Sequence, residues 1–117
     1  GGRFDQMLAN LALLTQPLPE GVDLRLDDGV EEVFIIRSQA QVEGKRGDVV
    51  SLLPQGGSVG GVVTEGLRYP LNGETLYAHR TRGVSNEMLV EIASVRIASG
   101  ALVCVHRRKQ VNSHVRT

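Results

Sequence analysis

The chain has 117 residues, and its 13 lysines and arginines balance its 13 aspartates and glutamates, so the formal net charge is zero. This length suits one compact domain, and the balanced charge excludes a global attraction to nucleic acid or to an anionic membrane. The single cysteine excludes an internal disulfide, and no apolar run approaches the roughly 18 residues that a membrane-spanning helix needs. These features predict a cytoplasmic protein with neither a membrane nor a nucleic acid as partner.

The first fifteen residues carry apolar side chains at spacings of three and four. They are Phe4, Met7, Leu8, Leu11 and Leu14. This spacing predicts a helix with one apolar face. Pro17 and Pro19 are expected to end it.

From residue 22 onward the sequence alternates with the period of β-strands. Strands are predicted at 22–26, 30–37, 39–43, 49–53, 59–65, 67–71, 75–78, 88–92, 94–98 and 101–106. A hairpin turn is expected at Asn72–Gly73, and a bulge or close backbone approach at Gly60–Gly61. Eight or more short strands without a helix between them predict a mainly β fold, a jelly-roll-type sandwich or barrel, after the N-terminal amphipathic helix.

The histidines and the cysteine offer no clear catalytic pattern. His79, His106 and His114 are too scattered to indicate a metal site, and we interpret each as an ordinary surface or strand-end residue. Cys104 lies in an apolar run and is expected to be a small buried side chain. The polar tail from Arg107 onward is expected to fray.

The opening residues contain the first candidate site. Arg3 supplies a forked cation suited to phosphate, and Asp5 supplies a carboxylate at a helix start. The alternative is that Asp5 only complements the helix dipole and that Arg3 is only a solvated side chain. The residues alone favour that alternative.

The stretch 69–86 contains the second candidate site. Tyr69 offers a flat face for an aromatic or cationic ring, and Ser85 with Asn86 offers donors and acceptors for ring nitrogens or an amine. The alternative is a hairpin and a turn in which Ser85 and Asn86 bond only to their own backbone. Both interpretations stay open on composition alone.

Three motifs together resemble the C-terminal half of thiamine pyrophosphokinase. They are G-G-R-F-D-Q-M-L-A-N-L-A-L-L at the start, G-L-R-Y-P-L-N-G-E-T-L at 66–76 and T-R-G-V-S-N-E-M at 81–88. They occur in family order and at family-like spacing, over residues 1 to about 106. The resemblance implies an enzyme that transfers pyrophosphate from ATP to thiamine and works as a homodimer. In such enzymes an N-terminal α/β domain holds Mg²⁺ and ATP, and a C-terminal sandwich of jelly-roll type helps to bind thiamine.

The resemblance also implies a division of the chain. Residues 1–18 would be the terminal helix of a truncated catalytic α/β domain, 19–109 the thiamine-binding sandwich, and 110–117 a flexible tail. Arg3 would face phosphates, Asp5 would contact thiamine or orient its hydroxyl, and Gln6 would bind substrate in the same segment. No metal ligand is expected in this chain, because Mg²⁺ and ATP would be bound mainly by the missing domain.

The same resemblance implies roles for the second site. Tyr69 stands where many members have tryptophan, so it would stack on thiamine, and Ser85 and Asn86 would lie near the thiamine pyrimidine. We therefore expect the thiamine-binding portion of a thiamine diphosphokinase, which by itself cannot transfer pyrophosphate. The alternative is a non-catalytic thiamine-sensing or dimerisation module of the same fold.

Overall fold

The protein is a β-sandwich of two antiparallel sheets in a computed structural model that describes residues 5, 9, 10, 12–17, 19, 24–80 and 82–110. In chain order the strands are β1 (Arg25–Asp27), β2 (Glu31–Ile36), β3 (Gln39–Glu43), β4 (Val49–Pro54), β5 (Val59–Glu65), β6 (Asn72–Leu76), β7 (Asn86–Glu87), β8 (Ile92–Arg96) and β9 (Leu102–Arg107). One sheet has the order β1-β2-β9-β4-β7, and the other has the order β3-β8-β5-β6. The prediction of a mainly β sandwich is confirmed.

The strand pairs are nested inside one another. β5 pairs with β6, β4 with β7, β3 with β8, and β2 with β9, and all four pairs are antiparallel. This arrangement is one long hairpin of eight strands rolled into two sheets, which is the jelly-roll topology. β1 adds a ninth strand at one edge of the first sheet.

Apolar alternation builds the core between the sheets. In β2, the side chains of Glu32, Phe34 and Ile36 are buried while those between them are only half-buried, as expected for strands with one face on a core. β9 contributes Leu102 and Cys104, and the facing sheet contributes apolar side chains of its own. Those of β3, β5 and β8 are Val42, Val59, Val62, Ala93 and Val95.

One row of paired residues crosses the first sheet from edge to edge. Asp27 pairs with Glu32, Glu32 with His106, His106 with Val50, and Val50 with Asn86. Directly paired residues point to the same face of a sheet, so four polar side chains lie in line along the inner face. This row ends at β7, the strand that carries the second candidate site.

The predicted hairpin at Asn72–Gly73 is wrong. Both residues belong to β6, and the chain turns earlier, between the end of β5 and Leu71. Thr64 and Leu71 fix this turn, because their backbones bond to each other at 2.9 Å and the Thr64 hydroxyl accepts the Leu71 N–H. The buried Leu71 side chain therefore closes the hairpin, and Gly73 adopts its positive φ of 90° within the strand.

The strand predicted at 88–92 is also wrong, since β7 ends at Glu87 and β8 begins at Ile92. The intervening residues cross from one sheet to the other and bond to loops instead of to a ladder: the Leu89 N–H donates to Gly66, and Glu91 accepts the Gly44 N–H. The bulge predicted at Gly60–Gly61 is confirmed by register shifts between β5 and β6.

The fraying predicted from Arg107 onward is wrong for the first residues of that tail. Arg107 belongs to β9, the Arg108 guanidinium makes two bonds of 2.9 and 2.7 Å to Asp27, and the Lys109 N–H donates to Asp48. Residues 111–117 lie outside the described part of the chain.

The described residues of the N-terminal segment include helical positions 5, 9, 10 and 12–14, in agreement with the predicted helix. Leu14 is buried, and the predicted apolar positions Phe4, Met7, Leu8 and Leu11 lie outside the described residues. In the part of the chain that the structure describes, no helix has the length and apolar character needed to cross a membrane.

Candidate functional site

The second candidate site forms where β7 lies between β4 and residues 66–69. On one side Val49 and Val50 pair with Glu87 and Asn86. On the other side the Arg68 N–H donates to the Glu87 carbonyl at 2.8 Å. β7 therefore joins the first sheet to the segment that leaves β5, although it is only two residues long.

Asn86 clamps the backbone of Tyr69. The amide Oδ1 of Asn86 accepts the Tyr69 N–H at 3.0 Å, and its Nδ2 donates to the Tyr69 carbonyl at 2.7 Å. Oδ1 also accepts the Glu87 N–H at 2.9 Å. Asn86 is only 3 % exposed, so these three bonds are shielded from water and hold the Tyr69 backbone firmly.

Tyr69 is fixed at its backbone, whereas the residue as a whole is 55 % exposed. The Arg68 guanidinium carbon lies 5.9 Å from the centre of the Tyr69 ring, and this arginine also pairs with Glu87 at 3.8 Å. The ring thus stands at the surface, beside a cation and a carboxylate. An exposed aromatic ring on a fixed backbone is suited to stacking against a flat ligand.

Ser85 precedes the clamp in a strained conformation. Its φ of 60° is in the left-handed region, which residues other than glycine, asparagine and aspartate seldom adopt. The Ser85 N–H donates to the Ser51 hydroxyl at 2.9 Å, so β4 holds this conformation in place. Strain of this kind concentrates at functional sites.

Arg82 braces the far side of the same loop. One of its terminal nitrogens donates to the Pro70 carbonyl at 3.3 Å, and its Nε lies 3.2 Å from the Glu74 carboxylate. The arginine therefore links the loop before β7 to both the segment after Tyr69 and β6.

The structure brings together the predicted residues of the second site, but among the described residues it does not join them to the first site. Tyr69 and Asn86 are in direct contact, and Ser85 is adjacent to Asn86. Asp5 is an exposed helical residue, and within the described residues no hydrogen bond joins it to the other three. Arg3 and Gln6 lie outside the described residues.

Solved structures with the same fold are thiamine pyrophosphokinases. The enzyme from Bacillus subtilis superposes with a TM-score of 0.81 at 22 % identity, over 94 % of this chain and 53 % of that one. The one from Candida albicans gives 0.72 at 18 % identity, over 93 % and 42 %. A family protein from Enterococcus faecalis gives 0.69 at 24 % identity, over 94 % and 53 %. The chain spans about half the length of these proteins, and no curated protein matches it.

A family model shows to which family the chain belongs. The model described as "Thiamin pyrophosphokinase, vitamin B1 binding domain" matches residues 34–102, which is more than half of the chain. The chain belongs to this family. The predicted resemblance is therefore confirmed, and the matched range of this vitamin B1-binding domain includes both Tyr69 and Asn86.

The sandwich also contains a buried histidine, so the interpretation of His106 as a surface residue is wrong, although it does lie one residue before the end of β9. The ring is 0 % exposed and lies between two carboxylates. Its Nδ1 is 2.7 Å from Glu32 Oε2, and its Nε2 is 2.7 Å from Asp48 Oδ2. Sequence reasoning missed this group, although its signal was present: Glu32 and His106 both fall in phase with the buried positions of their strands.

Hydrogen bonds shift the pKa values of two acids near this histidine. Burial raises the pKa of the Asp48 carboxyl, but the Lys109 and Lys45 N–H groups and the His106 ring outweigh burial and hold the pKa below its usual range. The Arg108 guanidinium lowers the pKa of the exposed Asp27 carboxyl.

Burial raises the pKa of the Cys104 thiol to about 12, which makes the thiol a poor nucleophile and agrees with its predicted packing role.

A surface cavity of about 440 Å³ lies at the other edge of the sandwich, between β1 and β3. It is lined by Arg25, Glu32, Gln41, Glu43 and Arg108. Both arginines already pair with carboxylates of the domain, since Arg25 contacts Glu32 and Arg108 contacts Asp27. We place the candidate site at Tyr69 and not in this cavity, because only the former presents a fixed aromatic face.

The described residues contain no group of three or more histidine, cysteine, aspartate or glutamate side chains arranged to hold a metal ion. The two buried acids, Glu32 and Asp48, are engaged by His106. We therefore assign no Mg²⁺ ligand within the described part of the domain.

Proposed function

We propose that this domain binds thiamine at the edge formed by β7 and residues 66–69. The observation that carries the proposal is the two-way clamp of Asn86 on Tyr69, which fixes the tyrosine backbone and leaves the residue 55 % exposed. Thiamine combines a flat aminopyrimidine with a cationic thiazolium, and an aromatic face attracts both kinds of ring.

Polar groups around Tyr69 complement the same ligand. The half-exposed carboxylates of Glu87 and Glu74 favour a cationic ligand. Each already forms an ion pair with an arginine, but these ion pairs are exposed to solvent and therefore weak. The hydroxyl of the exposed Ser85 can donate to a pyrimidine nitrogen or accept from the exocyclic amine. These groups support stacking on Tyr69 together with recognition from the β7 side.

We further propose that the domain is the thiamine-binding portion of an enzyme that transfers pyrophosphate from ATP to thiamine. Its membership of the thiamin pyrophosphokinase family supports this proposal. Arg3 would neutralise phosphate charge, Asp5 would orient the thiamine hydroxyl, and Gln6 would contact substrate. Mg²⁺, which would neutralise the phosphates, would be held with ATP by residues outside this chain.

The first test is titration of thiamine into the wild-type protein and into Tyr69→Ala. Losing the stacked ring is expected to weaken binding about fivefold or more, because such contacts are worth on the order of 1 kcal/mol. Tyr77→Ala is the matched control, since Tyr77 is a second exposed tyrosine outside the clamp. Equal affinity of the wild type and Tyr69→Ala would remove Tyr69 from the site, and no binding by the wild type would refute the proposed function.

A second test concerns catalysis. The purified chain, supplied with Mg²⁺, ATP and thiamine, is expected to form no thiamine diphosphate, since it spans about half the length of the pyrophosphokinases that it matches. Turnover by the chain alone would contradict this expectation.

We also propose a cytoplasmic homodimer, for which three exposed apolar side chains, Leu89, Val90 and Ile92, offer a contact surface.

A further inference from the structure

The described residues hold a buried charged cluster that the proposed thiamine contacts do not use. It consists of Glu32 on β2, His106 on β9 and Asp48 before β4, and we call it the buried triad. Burying charge is unfavourable unless each group is paired, so the pairing within the triad is constrained. That constraint determines the protonation of the ring.

Both ring nitrogens of His106 face carboxylate oxygens at 2.7 Å. A neutral imidazole carries one N–H, so its other nitrogen would direct a lone pair at an ionised oxygen. With Glu32 and Asp48 both ionised, only the doubly protonated ring donates to both. With both acids ionised, the geometry therefore favours a ring that is protonated on both nitrogens.

The charges that surround the triad support the same conclusion. From β1, Arg25 contacts Glu32 Oε1 at 3.3 Å, and from the end of β9, Arg108 lies 4.0 Å from Glu32 Oε2 and pairs with Asp27. The carboxylates are those of Asp27, Glu32 and Asp48, and the cations are those of Arg25, Arg108 and His106. Among these six groups, the charges balance when the ring is charged.

The triad is connected to the candidate site through the backbone of the loop 44–48. The Asp48 carbonyl accepts the Met88 N–H at 2.8 Å, and the Gly47 N–H donates to the Met88 carbonyl at 2.9 Å. Met88 directly follows β7, which carries Asn86. The loop is packed tightly on the triad, because a Cβ at Gly44 would lie 2.8 Å from the Nε2 of His106 and would also overlap the Asp48 carboxylate.

We propose that His106 is a positioning residue for the thiamine site: its Nε2–H bond to Asp48 acts through the loop 44–48 on β7 and hence on the Asn86 clamp. The ligand part of this inference rests on the proposed function, whereas the positioning of β7 does not. His106 would thus influence a ligand that it does not touch.

Nitrogen NMR of the imidazole ring tests the protonation state. In the wild type, both His106 nitrogens are expected to carry slowly exchanging protons at neutral pH. In Glu32→Gln the new amide donates to Nδ1, so the ring is expected to be neutral and to keep its Nε2–H bond to Asp48. A wild-type ring that carries no proton on Nε2 would overturn the proposal, because the positioning depends on the Nε2–H bond to Asp48.

Amide hydrogen exchange tests the positioning. His106→Gln is expected to raise exchange at Met88 and Gly47 about tenfold relative to Val62 in β5, and to weaken thiamine binding about tenfold, as expected for one lost hydrogen bond. Glu32→Gln keeps the bond between His106 and Asp48, so it is expected to change neither the amide exchange at Met88 and Gly47 nor the affinity for thiamine. Val42→Ala, a core variant on β3, controls for a general loss of stability and should leave the exchange ratio unchanged.

Gly44→Ala provides a second variant, because its methyl group displaces the ring from Asp48 without removing a charge. It should raise amide exchange and weaken thiamine binding, as His106→Gln does. Gly57→Ala is the matched control and should change neither, because a Cβ at Gly57 would meet no atom within 4 Å. Equal exchange ratios in His106→Gln, Val42→Ala and the wild type would overturn the positioning role. If the wild type binds no thiamine, the proposed function fails while the exchange ratios still decide the role of His106.

Discussion

Replacing His106 by leucine is expected to lower the free energy of unfolding by about 3–5 kcal/mol, the range for removing one partner of a buried ion pair. Leucine has a similar volume but no donor, so it leaves the Glu32 and Asp48 carboxylates buried against an apolar side chain. Glu32 keeps Arg25 and Asp48 keeps the Lys45 and Lys109 N–H groups, so the loss comes from the one buried charged partner that each acid loses. Denaturant unfolding at neutral pH measures it directly.

A combined variant separates this explanation from a simple packing defect. Adding Glu32→Gln and Asp48→Asn to His106→Leu removes the charges of both acids that lost the ring, so part of the lost stability should return, and the three changes should be strongly non-additive. Arg107→Leu, at an exposed position next in the chain, should change the stability by about 0.5 kcal/mol or less. If the triple variant is less stable than His106→Leu, the charge explanation is wrong.

Replacing Asn86 by alanine is expected to abolish the ordered presentation of Tyr69. The change removes two acceptor bonds and one donor bond of the clamp, so we expect a loss of about 1–3 kcal/mol in unfolding free energy and at least about tenfold weaker thiamine binding. Asn86→Asp should behave similarly, because it places a carboxylate oxygen against the Tyr69 carbonyl where the amide nitrogen donated at 2.7 Å.

Asn72→Ala is the matched control for these variants, since Asn72 is an exposed asparagine in the neighbouring strand β6. Its affinity for thiamine should equal that of the wild type. Thiamine affinity that is unchanged in Asn86→Ala would show that the clamp has no part in ligand binding.

The sequence predicted the fold well because burial in this domain follows a period of two. Glu32, Phe34 and Ile36 alternate with half-buried residues in β2, and that pattern is visible without a structure. The turn at Asn72–Gly73 was predicted wrongly because local turn propensity competed with the burial of Leu71, a tertiary contact that local rules do not include.

The geometry of the candidate site could not be predicted from the sequence, and the role of its residues in ligand binding stays a prediction. Tyr69 and Asn86 were both expected near a ligand, yet the direct clamp between them joins residues 17 apart and depends on the placement of β7. The buried triad was missed for the same reason. His106 and Glu32 are 74 residues apart, and only the register of β2 against β9 brings them together.

The nested strand pairs have a consequence for how the domain folds. Closing a loop costs more entropy as it lengthens, so the hairpin of β5 and β6 can form early, whereas β2 and β9 must wait for the pairs that lie inside them. The ion pair between Glu32 and His106 belongs to the outermost of these pairs, so we expect it to form late in folding. Contacts that form after the rate-limiting step mainly slow unfolding, so we expect the buried triad to slow the unfolding of the finished sandwich and to contribute little to the rate at which it folds.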